Sequence, residues 1–201
     1  MIHGPKYKLC RRLGSHVFEK CQTQKFVQSE AKKGAMKKGK RPKALSDFGT
    51  QLLEKQRIRF SYGVSEKQFS NYVKKATHGQ GSATEKLYEA LEVRLDNVVY
   101  RLGLAHTRAL ARQVVSHGHI TVNGVKTRVP SYQVKIGDKI SIRDGSKKST
   151  LFNSLETKLK DYSWPNWLKF DIAKGEAVIE GKPRNADGVL NFNTVLEYYS
   201  R

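Results

Sequence analysis

The chain has 201 residues, is 38% hydrophobic, and carries 38 Lys and Arg against 18 Asp and Glu, a formal charge of +20. Its length suffices for one or two packed domains, no apolar run approaches the roughly 18 residues of a membrane span, and Met1-Ile2-His3-Gly4-Pro5-Lys6 lacks the apolar stretch of a signal peptide. Two cysteines, Cys10 and Cys21, are too few for a disulfide scaffold and fit a reducing compartment, so a soluble cytoplasmic protein without membrane contact is expected. A charge of +20 repels itself in a compact state and points to a polyanionic partner, nucleic acid first.

The charge is concentrated at one end. Residues 1–80 hold 19 basic against 5 acidic residues, residues 81–143 hold 10 against 5, and residues 144–201 hold 9 against 8. Within the first part, Lys25 to Lys43 carries eight basic residues, one acid and few large apolar side chains. It reads as a basic arm that orders against phosphates rather than folding by itself. After Pro42, Ser46 or Asp47 caps a helix whose Phe48, Leu52 and Phe60 are expected to face inward, with Lys55, Arg57 and Arg59 towards its end. Tyr62-Gly63 breaks it. Ser65 and Gln68 form a capping box for a second helix, whose Phe69, Tyr72, Val73 and Ala76 make one buried stripe.

Ser82 and Glu85 predict a further capping box, opening one helix that runs to about Leu102 with Gly103 after its end. Leu87, Leu91, Leu95, Val98 and Leu102 are its apolar stripe, and Arg94, Asn97 and Arg101 fall on another side. Thr107 caps a shorter helix with Leu110, Val114 and Val115 inward and Arg108 and Arg112 outward, closed by Gly118. The period then changes to two. Ile120, Val122 and Val125 flank Asn123-Gly124, a pair that favours a two-residue hairpin turn, and Val129, Val134, Ile136, Ile140 and Ile142 suggest further short strands. The exposed donors expected on this unit are Arg94, Arg101, Arg108, Arg112, His117, His119 and Lys126. Arg suits bidentate phosphate contact and stacking on unpaired bases, which RNA offers more readily than duplex DNA.

These residues carry a resemblance. Leu91-Glu92-Val93-Arg94-Leu95-Asp96-Asn97-Val98-Val99-Tyr100-Arg101-Leu102-Gly103, Thr107-Arg108-Ala109, Ala111-Arg112-Gln113-Val114-Val115 and His117 through Asn123-Gly124 resemble the RNA-binding module of the small-subunit ribosomal protein S4 family. The flanks resemble the same family: Gly4-Pro5 with Arg11-Arg12, Leu45 to Val64, Pro130-Ser131-Tyr132, Trp167-Leu168, and the ending Glu197-Tyr198-Tyr199-Ser200-Arg201. The resemblance implies an α+β fold in which a mainly helical domain holds an inserted small RNA-binding module of two helices packed on a short antiparallel sheet. The expected division is a basic extension over 1–44, a helical domain over 45–90 completed by 154–201, and the module over 91–153.

The implied role is a structural, primary rRNA-binding protein of a bacterial or organellar ribosome that organises the five-prime domain of the small-subunit rRNA among other small-subunit proteins, nucleates assembly and supports translational accuracy. Residues assigned to rRNA on this basis are Arg11, Arg12, Lys40, Arg41, Lys55, Arg57, Arg59, Arg94, Arg101, Thr107, Arg108, Arg112, Gln113, His117, His119, Asn123 and Lys126. Lys40, Arg41 and Lys43 are the nearest equivalents of residues implicated in mRNA unwinding near the path by which mRNA enters. The near-neutral tail supplies Trp164, Trp167, Phe170, Phe192, Tyr198 and Tyr199, most of them expected in the core of the helical domain. Tyr198 and Tyr199 are adjacent, so in a strand one would be left for a protein contact; the resemblance implies ribosomal protein S5 as that neighbour.

No cofactor, metal or catalytic residue is expected. Some members of the family carry a four-cysteine zinc site near the N-terminus, but Tyr7 stands where a partner of Cys10 would be. Cys10 and Cys21 are two ligands short of a closed zinc site and are expected to be reduced. Arg94-Leu95-Asp96 is similar to the tripeptide around the catalytic aspartate of pseudouridine synthases, yet here it lies within an amphipathic helix, and no segment is left for a catalytic domain.

Overall fold

Hydroxyl and amide side chains open most of the helices in the computed structural model, which describes residues 4–36 (33–36 as backbone only), 44–152, 155, 159–160, 162–172, 174–184 and 190–200. Two compact units divide the chain, Met1–Leu87 with Ala186–Arg201, and Tyr88–Asn185. The first unit begins with α1 (Lys6–Leu13), two short 3-10 turns (Ser15–Val17 and Glu19–Gln22) and α2 (Gln24–Met36). Helix α3 (Asp47–Tyr62) starts at Ser46, whose hydroxyl accepts from Gly49 N at 3.2 Å, and stops at Gly63 in the left-handed conformation. Helix α4 (Glu66–Thr77) carries the full Ser65/Gln68 capping box and buries Phe69, Val73 and Ala76. Helix α5 (Ala83–Glu92) follows, with Ser82 Oγ accepting from Glu85 N.

The second unit continues with α6 (Leu95–Arg101) and α7 (Arg108–Ser116), the latter capped by the Thr107 hydroxyl. Gly103 after α6 has φ 77°, and a Cβ there would lie 2.6 Å from Leu159, so both backbone shape and packing demand glycine. Strands β1 (Ile120–Val122), β2 (Val125–Lys126) and β3 (Lys139–Ile142), a turn of helix α8 (Asp144–Lys147), and strands β4 (Leu168–Asp171) and β5 (Glu176–Ile179) complete it. The sheet is antiparallel throughout, in the order β2-β1-β3-β5-β4. Asn123 and Gly124, both at positive φ, make the tight β1–β2 turn. One face of the sheet packs Ile120, Val122, Ile140, Ile142, Ala177 and Ile179 against α6 and α7, forming one apolar core. Helix α9 (Phe192–Tyr199), capped by Asn191, returns the chain to the first unit and packs on α3.

Several expectations are corrected. Residues 25–36 of the basic arm are helical, because Phe26 buries in a small cluster with Cys10, Leu13, Val17, Phe18 and Cys21; Lys40, Arg41 and Lys43 lie outside the described residues. Helix α3 turns Gln51, Lys55, Ile58 and Tyr62 inward, whereas Phe48 is 50% exposed. Its polar residues can be buried because α9 and α4 answer them: Gln51 donates to Glu197, and Lys55 donates to Glu66 at 2.7 Å. The residues after 153 do not all complete the helical domain. Trp164, Trp167, Phe170 and the β4–β5 hairpin belong to the second unit, where β5 pairs with β3 and extends the sheet. Val129 and Ile136 are exposed and lie outside the strands.

The cysteines are joined rather than reduced. The chain reversal after α1 brings Cys10 and Cys21, eleven residues apart, into a disulfide buried in the N-terminal cluster. Closing a loop of that size contributes about 2–3 kcal/mol by restricting the unfolded chain. Thermal unfolding with and without reductant should show the first unit melting at lower temperature once reduced, and Cys10→Ala/Cys21→Ala should melt at the reduced value in both conditions. An unchanged melting temperature would mean that the cluster holds without the link.

Glu66 accepts from Lys55 and, at 2.8 Å, from the Tyr199 hydroxyl, and it pairs with Arg59 at 3.3 Å. Burial pushes the Glu66 carboxyl up, but those hydrogen bonds and the charges of Lys55 and Arg59 outweigh it and hold the group below the ordinary glutamate range. Burial, reinforced by Glu66, pushes the Tyr199 phenol well above its usual range. A lowered folded-state value contributes stability above the unfolded pKa of about 4.3, and that contribution is lost as pH falls from there through the lower folded-state value. Urea midpoints of the wild type and Glu66→Gln should therefore differ at pH 7, and the gap should start to close below the unfolded value of about 4.3 and vanish only at still lower pH.

Candidate nucleic-acid interface

The single helix expected from residue 82 to Leu102 is broken at Val93 and Arg94, and the break creates the site. Arg94 has extended backbone and forms an isolated bridge with Gln133. Leu95 N donates to Tyr132 O at 2.9 Å, Asp96 N to Pro130 O at 3.1 Å, and Val134 N to Val93 O at 2.9 Å. Those bonds satisfy the Leu95 and Asp96 amides and the Val93 carbonyl, which a continuous helix would have satisfied internally. The apolar stripe Leu87, Leu91, Leu95, Val98 and Leu102 stays buried across the break. What changes is the acid side of the helix pair, which now opens α6 with Asp96 in its first turn.

Asp96 and Glu92 are buried and organise four arginines. Asp96 accepts from Arg94 through Nε at 3.0 Å and Nη2 at 2.9 Å, from Arg112 through Nε at 3.0 Å and Nη2 at 2.7 Å, and from the Asn97 amide at 2.9 Å. Glu92 takes a bidentate pair from Arg101 at 2.9 and 2.8 Å. Asn97 joins the two halves: its Nδ2 donates to Glu92 Oε2 at 2.9 Å, and its Oδ1 accepts from Arg108 Nε at 2.8 Å. The Arg108 guanidinium also lies 4.4 Å from the centre of the Tyr100 ring. Four guanidiniums against two carboxylates leave two net positive charges held in fixed planes. Arg101 and Arg112 keep 25% and 29% of their side chains exposed, so the excess faces solvent. Such a surface suits phosphate oxygens and unstacked bases, because its donors are oriented before the ligand arrives.

The expected site residues therefore divide. Arg101, Arg108 and Arg112 are brought together through Glu92, Asn97 and Asp96; Gln113 and His117 are exposed on α7 and at its C-terminal end, outside that hydrogen-bonded cluster. Arg94 was expected to be exposed and is instead buried beneath Asp96, where it supports the face. Thr107 is engaged as the cap of α7, and Asn123 as a turn residue that donates to Asp138 and accepts from Lys139 N. His119 shares a hydrogen bond with Ser146 and stands edge-on to Phe152. Lys126 is exposed on β2.

In the first unit, Arg12 is exposed, while Arg11 donates to Ser29 at 3.0 Å and pairs with Glu30. Arg57 is tied to Leu13 O and Glu54, and Arg59 to Glu66 and the Phe60 ring. Lys55 is corrected from surface donor to internal cation: it is buried, pairs with Glu66 and sits 4.5 Å from the centre of the Tyr198 ring. Tyr198 and Tyr199 are corrected likewise. They lie on a helix rather than a strand, and both turn towards their own unit, Tyr198 to Phe48 and Lys55, Tyr199 to Phe69 and Glu66.

Sequence reasoning missed the role of the acids. Between residues 90 and 137 the sequence contains only two, Glu92 and Asp96, four apart amid a run of arginines. That spacing was a readable signal, since acids so placed have cations as their natural partners.

Residues 1–92 match the family model described as ribosomal protein S4/S9 N-terminal domain, and residues 93–140 match the S4 domain. The chain is 43% identical over 202 residues to small ribosomal subunit protein uS4 of Roseiflexus sp. (strain RS-1), with 98% of each chain covered. It is 42% identical over 206 residues to the protein of that name from Alcanivorax borkumensis and 43% identical over 202 residues to that from Chromobacterium violaceum, again with 98% of each chain covered.

Removing one member of a buried ion cluster costs about 3–5 kcal/mol, because the remaining charges stay desolvated. Asp96→Asn should lower the free energy of unfolding of the second unit by that order in urea titrations. Arg101→Ala should cost less, its guanidinium being partly solvated. Equal losses for the two would show that Asp96 is not the centre of the cluster.

Proposed function

Because the chain belongs to the ribosomal protein S4 family, we propose that it is a structural constituent of the small ribosomal subunit that recognises rRNA without catalysing a reaction. The family is of a structural, non-enzymatic kind. The observation that carries the reading is the fixed guanidinium face of α6 and α7, in which Glu92, Asp96 and Asn97 hold Arg101, Arg108 and Arg112 in place. The proposed target is a folded junction in the five-prime domain of the small-subunit rRNA, read by the shape of its phosphates and by exposed bases. Holding RNA helices in one arrangement lowers the entropy of later assembly steps, which is how a protein of this kind nucleates the subunit body.

Arg12 and the basic surface of the first unit add phosphate contacts on this reading, as the concentration of charge in residues 1–80 suggests. The finer partners rest on family likeness. An mRNA contact falls to Lys40, Arg41 and Lys43. A contact with ribosomal protein S5, bearing on decoding accuracy, falls to the half-exposed Phe48 beside Tyr198 rather than to Tyr199, whose hydroxyl is committed to Glu66. The proposed setting is the cytoplasm, on the ribosome; no helix among the described residues is long and apolar enough to cross a membrane.

Filter binding to the folded five-prime domain, with an equal-length scrambled RNA as competitor, tests the assignment. The wild type should prefer the folded domain at high salt. Arg108→Ala/Arg112→Ala should weaken binding and reduce the slope of log affinity against log salt by about 1.5–2, the value for two lost phosphate contacts. Arg112→Lys separates binding from folding: it keeps a cation beside Asp96 but loses the planar fork, so stability should recover more than affinity. Wild-type affinity in the double variant would remove this face from the interface.

A further inference from the structure

The sheet of the second unit has a second surface, facing away from α6 and α7. Its registers place one rung across four strands: Lys126 opposite Thr121, Thr121 opposite Ser141, and Ser141 opposite Glu176. Because side chains alternate along a strand, these residues point away from the core that buries Ile120, Val122, Ile140 and Ala177. The middle of the rung is low. Thr121 and Ser141 are short, and their hydroxyls lie 2.7 Å apart. They floor a cleft of about 470 Å³, with Lys126 at one side, Glu176 at the other, and Arg143, Asp144, Lys147 and two glycines, Gly124 and Gly145, at its rim.

Cations crowd one end of that cleft. Among the described residues, Lys126, Arg128 and Arg143 have no acidic partner at ion-pair distance, whereas Lys147 is paired with Asp144. Partial desolvation and the positive charges of Arg128 and Arg143 pull the Lys126 ammonium below its ordinary range. With Asp144 committed to Lys147, the remaining like charges lower their energy by accepting an anion. The opposite end has the reverse character, a carboxylate beside a hydroxyl. Neighbouring strands stand about 4.8 Å apart, so Thr121 and Glu176 are roughly 10 Å apart at the backbone, and the flexible Glu176 side chain narrows the span left for a ribose and its phosphate.

We propose that this cleft binds one nucleotide of RNA, with a backbone phosphate between Lys126 and Arg143 and the ribose 2′-hydroxyl donating towards Glu176 beside Ser141. The site is distinct from the guanidinium face on α6 and α7, and it rests on the RNA-binding reading above. It gives the second unit two RNA-contacting surfaces, one of which distinguishes ribose from deoxyribose.

The full-length protein tests this in equilibrium titrations with the folded five-prime domain at several salt concentrations. Lys126→Ala/Arg143→Ala should bind about tenfold more weakly and lose about 1.5–2 from the salt slope. Lys135→Ala/Lys160→Ala, which removes the same charge elsewhere in the unit, should change both much less; an equal loss would reduce the effect to bulk charge and overturn the site. Wild-type behaviour of Lys126→Ala/Arg143→Ala, with Arg108→Ala/Arg112→Ala weakened, would overturn the cleft and leave the proposed function standing. Wild-type behaviour of both double variants would overturn both. For the ribose, a single-stranded RNA and a DNA of the same sequence are compared: Glu176→Ala should narrow the preference for RNA severalfold. If it tightens RNA and DNA alike, the carboxylate only repels phosphate and the ribose assignment falls.

Discussion

The second unit depends on a buried carboxylate, Asp96, placed between two guanidiniums. Burying an isolated charge is costly, and Asp96 is tolerable only because Arg94 and Arg112 each approach it in two directions and the Asn97 amide completes its shell. That requirement constrains much else. The helix must break at Val93 and Arg94 for the Arg94 side chain to fold under Asp96, and residues 130–134 must lie alongside to satisfy the freed amides. Glu92, four residues earlier, repeats the arrangement for Arg101, and Asn97 couples the two.

The same arrangement explains how a stable surface can be so basic. Exposed arginines on flexible stems lose conformational entropy when they bind phosphate. Here the acids fix the guanidiniums in advance, so less is lost on binding, and the partial neutralisation limits self-repulsion in the free protein. Specificity for a folded junction over a generic polyanion follows from rigidity. Fixed donors match one spatial pattern of phosphates and bases, while a mobile cationic surface matches any.

The first unit solves a different problem. Its N-terminal cluster is small, a handful of apolar residues from α1, the 3-10 turns and α2, and a disulfide between Cys10 and Cys21 supplements it. Helix α3 buries Gln51 and Lys55, polar positions that α4 and α9 answer through Glu66 and Glu197. Helix α9, separated from α3 by more than a hundred residues of sequence, is thereby part of the same unit: Tyr198 and Tyr199 close over Lys55 and Glu66.

Local signals were legible in the sequence alone. The caps at Ser46, Ser65, Ser82 and Thr107, the stops at Gly63, Gly103 and Gly118, the Asn123-Gly124 turn and the stripe from Leu87 to Leu102 all depend on residues within a few positions of one another. Family membership was legible too, because it rests on extended motifs, and the excess of cations pointed to a polyanionic partner. What only the tertiary structure decided is which charges are surface and which are interior. Arg94 and Arg101 look alike in the sequence, yet Arg94 is buried under Asp96 and Arg101 reaches solvent. Lys55 looked like a surface donor until α9 covered it, and Cys10 and Cys21 looked like separate thiols until the chain reversed between them. The strands after residue 167 joined a sheet begun at Ile120 rather than the helical core. In each case the outcome turns on a partner distant in sequence, and the free energy of a charge or thiol is set by what surrounds it in space.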